Sequence, residues 1–112
     1  MASRGEVWLV NLNPTRGREQ RGSRPALVVS DDRLNAGRAE LVIVVPLTRT
    51  DRRVPFHVRI DPPEGGVRDV SYAMCEAVKS ISIDRLDGAA WGTVSEATMR
   101  AVEDRLRVLL DL

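Results

Sequence analysis

The sequence predicts an α+β domain that is mainly β, with short strands and one long C-terminal helix. Apolar, β-branched runs separated by turn residues indicate the strands, and an apolar stripe near the end indicates the helix. The chain has 112 residues, 43% of them hydrophobic, so we assign residues 1–112 to a single domain. Short strands at close spacing with helices packed on them are typical of a small curved sheet or partly open barrel.

The first strands are predicted from apolar runs that end in turn residues. Residues 6–12 and 26–30 form two such runs, and residues 31–38 predict a short helix or turn. Residues 41–45 are continuously apolar, which is typical of a central strand buried on both faces. We expect Pro46 to end the pairing of that strand, because proline has no N–H to donate.

The second half predicts further short strands and the helix. Residues 54–60 alternate apolar and polar, which predicts a half-buried strand with His57 on its solvent side. Thr93 or Ser95 can cap a helix that runs to about Leu110. Its apolar stripe consists of Met99, Val102, Leu106 and Leu109. Between these segments we predict strands at residues 71–75, 76–81 and 89–94 and a helical turn at 82–86.

The two halves of the chain carry opposite net charge. Residues 1–60 hold eleven arginines and six acidic residues, for a net +5, whereas residues 61–112 hold six basic and ten acidic residues, for a net −4. The total of +1 therefore conceals an asymmetry that favours one basic face. Two arginine clusters predict a groove that binds a polyanion: Arg16, Arg18, Arg21 and Arg24, and Arg49, Arg52 and Arg53.

The segment between the first two strands is the most informative one. Residues 17–25 (GREQRGSRP) contain two glycines, three arginines and one glutamate, which predicts a mobile basic loop rather than core. Arg24 lies where this loop enters the second strand, and Pro25 biases it toward an extended backbone. A guanidinium held at a rigid strand entrance suits the recognition of phosphate.

Motifs for several other kinds of site are missing from the sequence. It has no CxxC or HExxH pattern, no clustered carboxylate pair and no phosphate-binding glycine loop, so we expect neither a metal nor a cofactor. His57 is the single histidine, which excludes a two-histidine acid–base mechanism within one chain. The single cysteine, Cys75, and the lack of a signal or membrane-spanning pattern lead us to expect a cytoplasmic protein with no membrane partner.

Four blocks of the sequence resemble the MazF/PemK family of bacterial toxins, in the family's order and spacing. They are residues 5–25, which begin GEVW and end RP, then VPLT at 45–48, VPFHV at 54–58 and KSI at 79–81. With the C-terminal helix, the resemblance covers nearly the whole chain. It implies an SH3-like barrel with a long C-terminal helix, and a toxin of a toxin–antitoxin module.

The resemblance implies a sequence-specific endoribonuclease that cuts single-stranded messenger RNA without ribosomes. RNA offers a route that needs no metal, because its own 2′-hydroxyl can attack the adjacent phosphorus and leave a 2′,3′-cyclic phosphate and a 5′-hydroxyl. The protein must then align the attack and stabilise the charge on the phosphoryl oxygens. Carried over residue by residue, the family's catalytic pair corresponds to Arg24 and Thr48.

Further residues are candidates in the same reaction. Glu19, the carboxylate of the basic loop, is a candidate base or positioning group for the 2′-hydroxyl; the alternative is a surface glutamate paired with a loop arginine. Ala77 stands where the family commonly has glutamine, so we expect an altered cleavage preference. The few aromatic residues limit base stacking. Expected contacts to RNA phosphates or base edges are Arg16, Arg18, Gln20, Arg49 and Lys79.

The resemblance also implies partners. It implies a homodimer with RNA in a groove at the interface, and a MazE-like antitoxin whose acidic tail occupies that groove; DNA binding by this chain itself is not expected. Two alternatives stay open. Toxins of the CcdB group, which target DNA gyrase, share the fold but end in a Trp–Gly–hydrophobic pattern that this chain lacks. The other alternative is a non-catalytic RNA-binding barrel that uses the same basic loop.

Overall fold

Seven strands and two α-helices make up the part of the chain that the computed structural model describes, which is residues 1–12 and 22–112. Three 3₁₀ turns, at Glu64–Gly66, Cys75–Ala77 and Ile83–Arg85, connect them. In chain order the strands and helices are β1 (Glu6–Asn11), β2 (Ser23–Val28), α1 (Asp32–Asn35), β3 (Leu41–Thr48), β4 (His57–Ile60), β5 (Ser71–Met74), β6 (Lys79–Ser82), β7 (Leu86–Thr93) and α2 (Glu96–Leu110).

The strands form one antiparallel sheet whose centre is β3. Along its main path the sheet has the order β4-β5-β3-β2-β1-β7. One edge of β3 pairs with β2, while the other edge pairs first with β6 and then with β5. Within the described ranges, β4 and β7 are the ends of the path and do not pair with each other. This arrangement confirms the predicted α+β class, and its open ends agree with a partly open barrel.

The prediction that Pro46 ends the pairing of β3 is wrong. The strand continues to Thr48, and Pro46 lies opposite Ala26 of β2. On the other edge, β6 pairs with β3 as far as Val44, and β5 pairs with it from Leu47 onward. Pro46 therefore lies at the change of partners, where a residue without an N–H is accommodated.

The predicted strand at residues 54–60 is shorter in the structure, and His57 is not on a solvent face. Pro55 and Phe56 form a turn, and β4 begins at His57. The His57 side chain is only 4% exposed, and its Nε2 lies 2.7 Å from Glu76 Oε2. A 3₁₀ turn at Cys75–Ala77 replaces the predicted strand there, and it places Glu76 against the imidazole.

The sheet buries apolar side chains on both faces, as the continuous apolar run of β3 predicts. Leu27 and Val45 belong to one cluster, whereas Val28 and Val44 belong to the other. Because side chains alternate along a strand, neighbouring residues supply opposite faces. Helix α2 covers the first cluster with its predicted stripe, of which Val102 is fully buried.

The start of α2 is stabilised by a side chain, as the sequence predicts. Ser95 is the N-cap, and its hydroxyl accepts a hydrogen bond of 3.2 Å from the backbone N–H of Thr98. This bond satisfies one of the donors that the first turn of a helix leaves unpaired. No helix in the described part of the chain is both long enough and apolar enough to cross a membrane.

We expect truncation of the buried stripe to destabilise the domain. Val102 is 0% exposed, so Val102→Ala removes two methyl groups and leaves a cavity, which should lower the free energy of unfolding by about 2 kcal/mol. Val108 lies on the same helix but is 70% exposed, so Val108→Ala is the matched control and should change stability by less than about 0.5 kcal/mol. Urea unfolding followed by circular dichroism measures both. Equal losses would contradict the packing of α2.

We also expect the single cysteine to be unreactive in the folded protein. Cys75 is buried, and burial raises the pKa of its thiol to about 11. Since the thiolate is the reacting species, alkylation at pH 8 should be slow in buffer and fast in denaturant. Mass spectrometry of iodoacetamide-treated protein measures the two rates, and similar rates in both conditions would contradict the burial.

Candidate functional site

The described residues form a cleft of about 530 Å³, which we call the arginine cleft. It lies where the start of β2, the end of β3 and the segment before β5 meet. Its volume is in the range of small-molecule sites. The residues that line it are Ser23, Arg24, Pro25, Leu47, Thr48, Arg49, Thr50, Arg52, Val67, Arg68, Asp69, Ser71 and Trp91.

Strands β2 and β3 bring Arg24 and Thr48 to the same cleft. The register sets Ala26 opposite Pro46. Arg24 and Thr48 lie two residues beyond this pair on their own strands, and both line the arginine cleft. Arg24 is the second residue of β2, half-buried and paired across the other edge with Val10 of β1. The sequence predicted a guanidinium held at a strand entrance. In the structure β2 begins at Ser23 rather than at the predicted residue 26, so Arg24 lies inside the strand, next to its start.

Thr48 presents a hydroxyl in a fixed position. It is the last residue of β3, pairs with Tyr72 of β5 and is 6% exposed. Its Oγ1 accepts a hydrogen bond of 3.2 Å from the backbone N–H of Thr50, a local turn that holds the side chain. Accepting this bond uses an oxygen lone pair, so the hydroxyl hydrogen can still be donated to a bound oxyanion.

The charge of the arginine cleft is strongly positive. Its lining includes four arginines and one aspartate, Asp69. Asp69 pairs with Arg49 at 3.5 Å, and because both side chains are well exposed this pair contributes little stability. The remaining arginines, Arg24, Arg52 and Arg68, give the cleft an excess of donors with planar geometry. Such a surface suits phosphate groups.

One wall of the cleft is held by a close approach of two backbones. Gly66 has a φ of +76°, and a Cβ built on it would lie 2.2 Å from the carbonyl oxygen of Trp91. A Cβ on the neighbouring Gly65 would lie 2.9 Å from a methyl group of Val7. Glycine is therefore required at this turn by both conformation and space. The contact fixes the backbone of β7 at Trp91, which is one of the residues lining the cleft.

The structure brings together some of the predicted site residues and not others. Arg24, Thr48 and Arg49 all line the arginine cleft, as does Arg52 from the predicted basic cluster. Lys79 lies on β6 opposite Val44 and is not one of the lining residues, so its contact with RNA stays a prediction. The other predicted residues lie outside the described part of the chain: Arg16, Arg18, Glu19 and Gln20.

Among the lining residues that sequence reasoning missed are Arg68 and Trp91. Arg68 stands in the acidic half of the chain, and no local pattern distinguishes it. Trp91 was considered only as one of the few aromatic residues of the chain and was assigned no role in the site. The 3₁₀ turn at Glu64–Gly66 positions both residues, because it precedes Arg68 in the chain and packs against Trp91. Its pair of glycines was the only sequence feature that could have indicated this close packing.

The lining chemistry fits an anion better than a cation. Guanidinium groups and hydroxyls dominate the cleft. In the ranges that the structure describes, no three His, Cys, Asp or Glu side chains are grouped so that they could hold a metal ion. What the arrangement can do chemically is bind a phosphodiester and stabilise negative charge that develops on its oxygens.

Comparisons with known proteins agree with this chemistry. Residues 3–110 match the family described as PemK-like, MazF-like toxin of type II toxin-antitoxin system. Endoribonuclease MazF9 of Mycobacterium tuberculosis is 38% identical over 117 residues, an alignment that covers 100% of this chain and 98% of that protein.

Solved structures share the whole fold. A crystal structure of MazF from Deinococcus radiodurans has a TM-score of 0.85 and 26% identity, and it covers 99% of this chain and 97% of that one. An endoribonuclease from a mycobacterial species, solved in complex with its cognate antitoxin, has a TM-score of 0.80 and 27% identity, covering 100% of this chain and 97% of its own. By sequence and by fold, this chain belongs to the PemK/MazF family of type II toxin–antitoxin toxins.

Proposed function

We propose that this protein is a toxin that acts as an endoribonuclease on single-stranded RNA, cutting at a short sequence without ribosomes. The observation that carries the proposal is that Arg24, near the start of β2, and Thr48, at the end of β3, line the same arginine-rich cleft. Membership of the family supports it, as do relatives that are named endoribonucleases.

The reaction requires charge stabilisation more than a bound metal. The nucleophile is the 2′-hydroxyl of the RNA, which attacks the adjacent phosphorus as the bond to the 5′-oxygen breaks. Arg24 neutralises the additional charge on the phosphoryl oxygens and assists the departing 5′-oxygen, while Thr48 donates a hydrogen bond to one phosphoryl oxygen. Both groups are anchored in strands, so they need little reorganisation when the charge develops. The products carry a 2′,3′-cyclic phosphate and a 5′-hydroxyl.

The RNA backbone follows the basic lining of the cleft. Arg49, Arg52 and Arg68 contact phosphates on either side of the cut, which positions the RNA without reading its sequence. Arg16, Arg18 and Lys79 are proposed as further phosphate contacts, and Gln20 as a contact to base edges. Glu19 is proposed as the base or as the group that positions the 2′-hydroxyl.

We also propose the partners that the family implies. A homodimer places RNA in a groove at its interface, in the cytoplasm. A cognate antitoxin inhibits the toxin by laying an acidic, flexible segment in that groove, where the excess of arginines attracts it. The mycobacterial endoribonuclease that shares this fold was solved with its cognate antitoxin, which supports such a complex.

The two alternatives receive no support from the comparisons. The family match and the named relatives lie among PemK/MazF endoribonucleases, not among gyrase-targeting toxins. A non-catalytic RNA-binding barrel would use the same arginines, yet those relatives are named as enzymes. Cleavage of purified RNA separates the enzyme from a binding module.

We expect the purified protein to cut a long single-stranded RNA in excess EDTA, without ribosomes. Arg24→Ala and Thr48→Val each remove one donor to the phosphoryl oxygens, so each should lower the cleavage rate by about 10²- to 10³-fold. Mapping of the product ends gives the cut sequence and the end chemistry.

Matched variants make this test specific. Thr48→Ser keeps the hydroxyl and should retain most of the activity, whereas Arg24→Lys keeps the charge without the planar fork and should lose much of it. Thermal melting shows whether each variant is folded, since Thr48→Val also removes the acceptor for the Thr50 N–H. Intact RNA with the wild-type protein, or cleavage that depends on added metal, would refute the proposed mechanism.

Binding should depend on salt through the arginines of the cleft. With a fully 2′-O-methylated RNA, which lacks the nucleophile, Arg68→Ala should weaken binding and reduce the slope of log K against log salt by about 0.7. Arg100→Ala, on the exposed face of α2 outside the cleft, is the control and should leave the slope unchanged. Fluorescence anisotropy measures the slope for each variant. If Arg68→Ala had the same slope as the wild-type protein, the RNA would bind outside the arginine cleft.

A further inference from the structure

We infer that Trp91 is the stacking platform for an RNA base in the arginine cleft. The inference rests on the proposed function, because it assigns a residue to the binding of that substrate. Trp91 is the aromatic residue among the described residues that line the cleft. It shares the cleft with Arg24 and Thr48, so a base stacked on it belongs to a nucleotide close to the phosphate that is cut.

The two tryptophans of the chain lie in opposite environments. Trp8 is 9% exposed, belongs to a core cluster and donates its indole N–H to Glu6 Oε1 at 3.1 Å. Trp91 is 43% exposed. An indole is the largest apolar side chain, and leaving almost half of it in water forfeits stabilisation that burial would provide. An exposed aromatic side chain in a basic cleft is typical of surfaces that bind single-stranded nucleic acid.

The backbone at Trp91 is held in place before any ligand arrives. Between Val7 and Leu9 of β1 the pairing with β7 shifts, so that residues 88–91 lie opposite a single residue. The 3₁₀ turn then contacts this irregular segment, because Gly66 lies against the Trp91 carbonyl and Gly65 against Gly92. An aromatic side chain on a fixed backbone loses little freedom when it binds, which favours affinity.

The chemistry of the cleft divides into two complementary parts. Arg49, Arg52 and Arg68 suit phosphates, but charge alone does not hold a base. Single-stranded RNA is recognised when unstacked bases stack on aromatic side chains. Trp91 supplies that surface. The low aromatic content of the sequence had indicated that RNA recognition depends on hydrogen bonds alone, and stacking on Trp91 would change that conclusion.

The test uses the fluorescence of one tryptophan at a time. In Trp8→Phe the remaining indole is Trp91, and a fully 2′-O-methylated segment of the assay RNA should quench it as the RNA binds. In Trp91→Phe the remaining indole is the buried Trp8, which should not be quenched. Because Trp8 belongs to the core, thermal melting is used to check that the Trp8→Phe variant is folded. The RNA affinity of the Trp91 variants is measured in the protein that keeps Trp8.

Affinity and kinetics separate stacking from a structural role. Trp91→Ala should weaken binding of the methylated RNA by about tenfold to a hundredfold. Trp91→Leu keeps apolar volume without a π-face and should bind as weakly as the alanine variant, while Trp91→Phe should retain most of the affinity. For cleavage, KM should rise in Trp91→Ala while kcat in saturating RNA stays within a few-fold of wild type. A structural role would instead lower the melting temperature and be rescued by leucine.

Each other outcome overturns the inference in a recognisable way. If Trp91→Ala binds and cuts RNA as well as wild type, the inference fails and the proposed function stands. If the wild-type protein neither binds nor cuts RNA, the proposed function fails and the inference fails with it. If Trp91→Ala changes the oligomeric state in gel filtration at unchanged intrinsic affinity, Trp91 belongs to an interface between copies of this chain.

Discussion

The antiparallel register between β2 and β3 is the constraint on which both the core and the site depend. It sets Leu27 opposite Val45 and Val28 opposite Val44, and these pairs supply opposite faces of the sheet. A slip of one residue would turn every side chain of β2 to the other face. The same slip would separate Arg24 from Thr48. Apolar packing on both faces thus stabilises the geometry of two polar residues at the end of the strands.

The concentration of arginines in one cleft carries an electrostatic cost that the fold tolerates. Like charges repel, and the Arg49–Asp69 pair, in which both side chains are well exposed, opposes this repulsion only weakly. The apolar residues beneath them compensate, because β3 is buried along most of its length. A polyanion removes the repulsion when it binds. An RNA backbone and an acidic peptide both meet this requirement, so substrate and inhibitor would compete for one surface.

Local sequence patterns predicted the parts of the molecule that are determined locally. Pro25 indicated the extended backbone that holds Arg24, and the stripe containing Val102 indicated the buried face of α2. The failures concern contacts between distant segments. Pro46 stays in the sheet because β3 changes partners there, and the His57 side chain meets Glu76, which a 3₁₀ turn brings to it. Neither cause is visible in the residues around Pro46 or His57.

The wall of the cleft that contains Trp91 shows why this residue could not be predicted from the sequence. Trp91 lies in the irregular part of β7, where alternation along a strand has no predictive value. Its position depends on Gly66, which is distant in sequence and must lack a side chain to approach the Trp91 carbonyl. A pair of glycines in a turn usually indicates only a change of chain direction. Here the pair also brings the chain that carries Arg68 and Asp69 against β7, so that one tight backbone contact assembles an aromatic surface and a charge at the same wall. The cleft therefore has one wall set by strand register and one set by close backbone packing, and only the first can be inferred from local pattern.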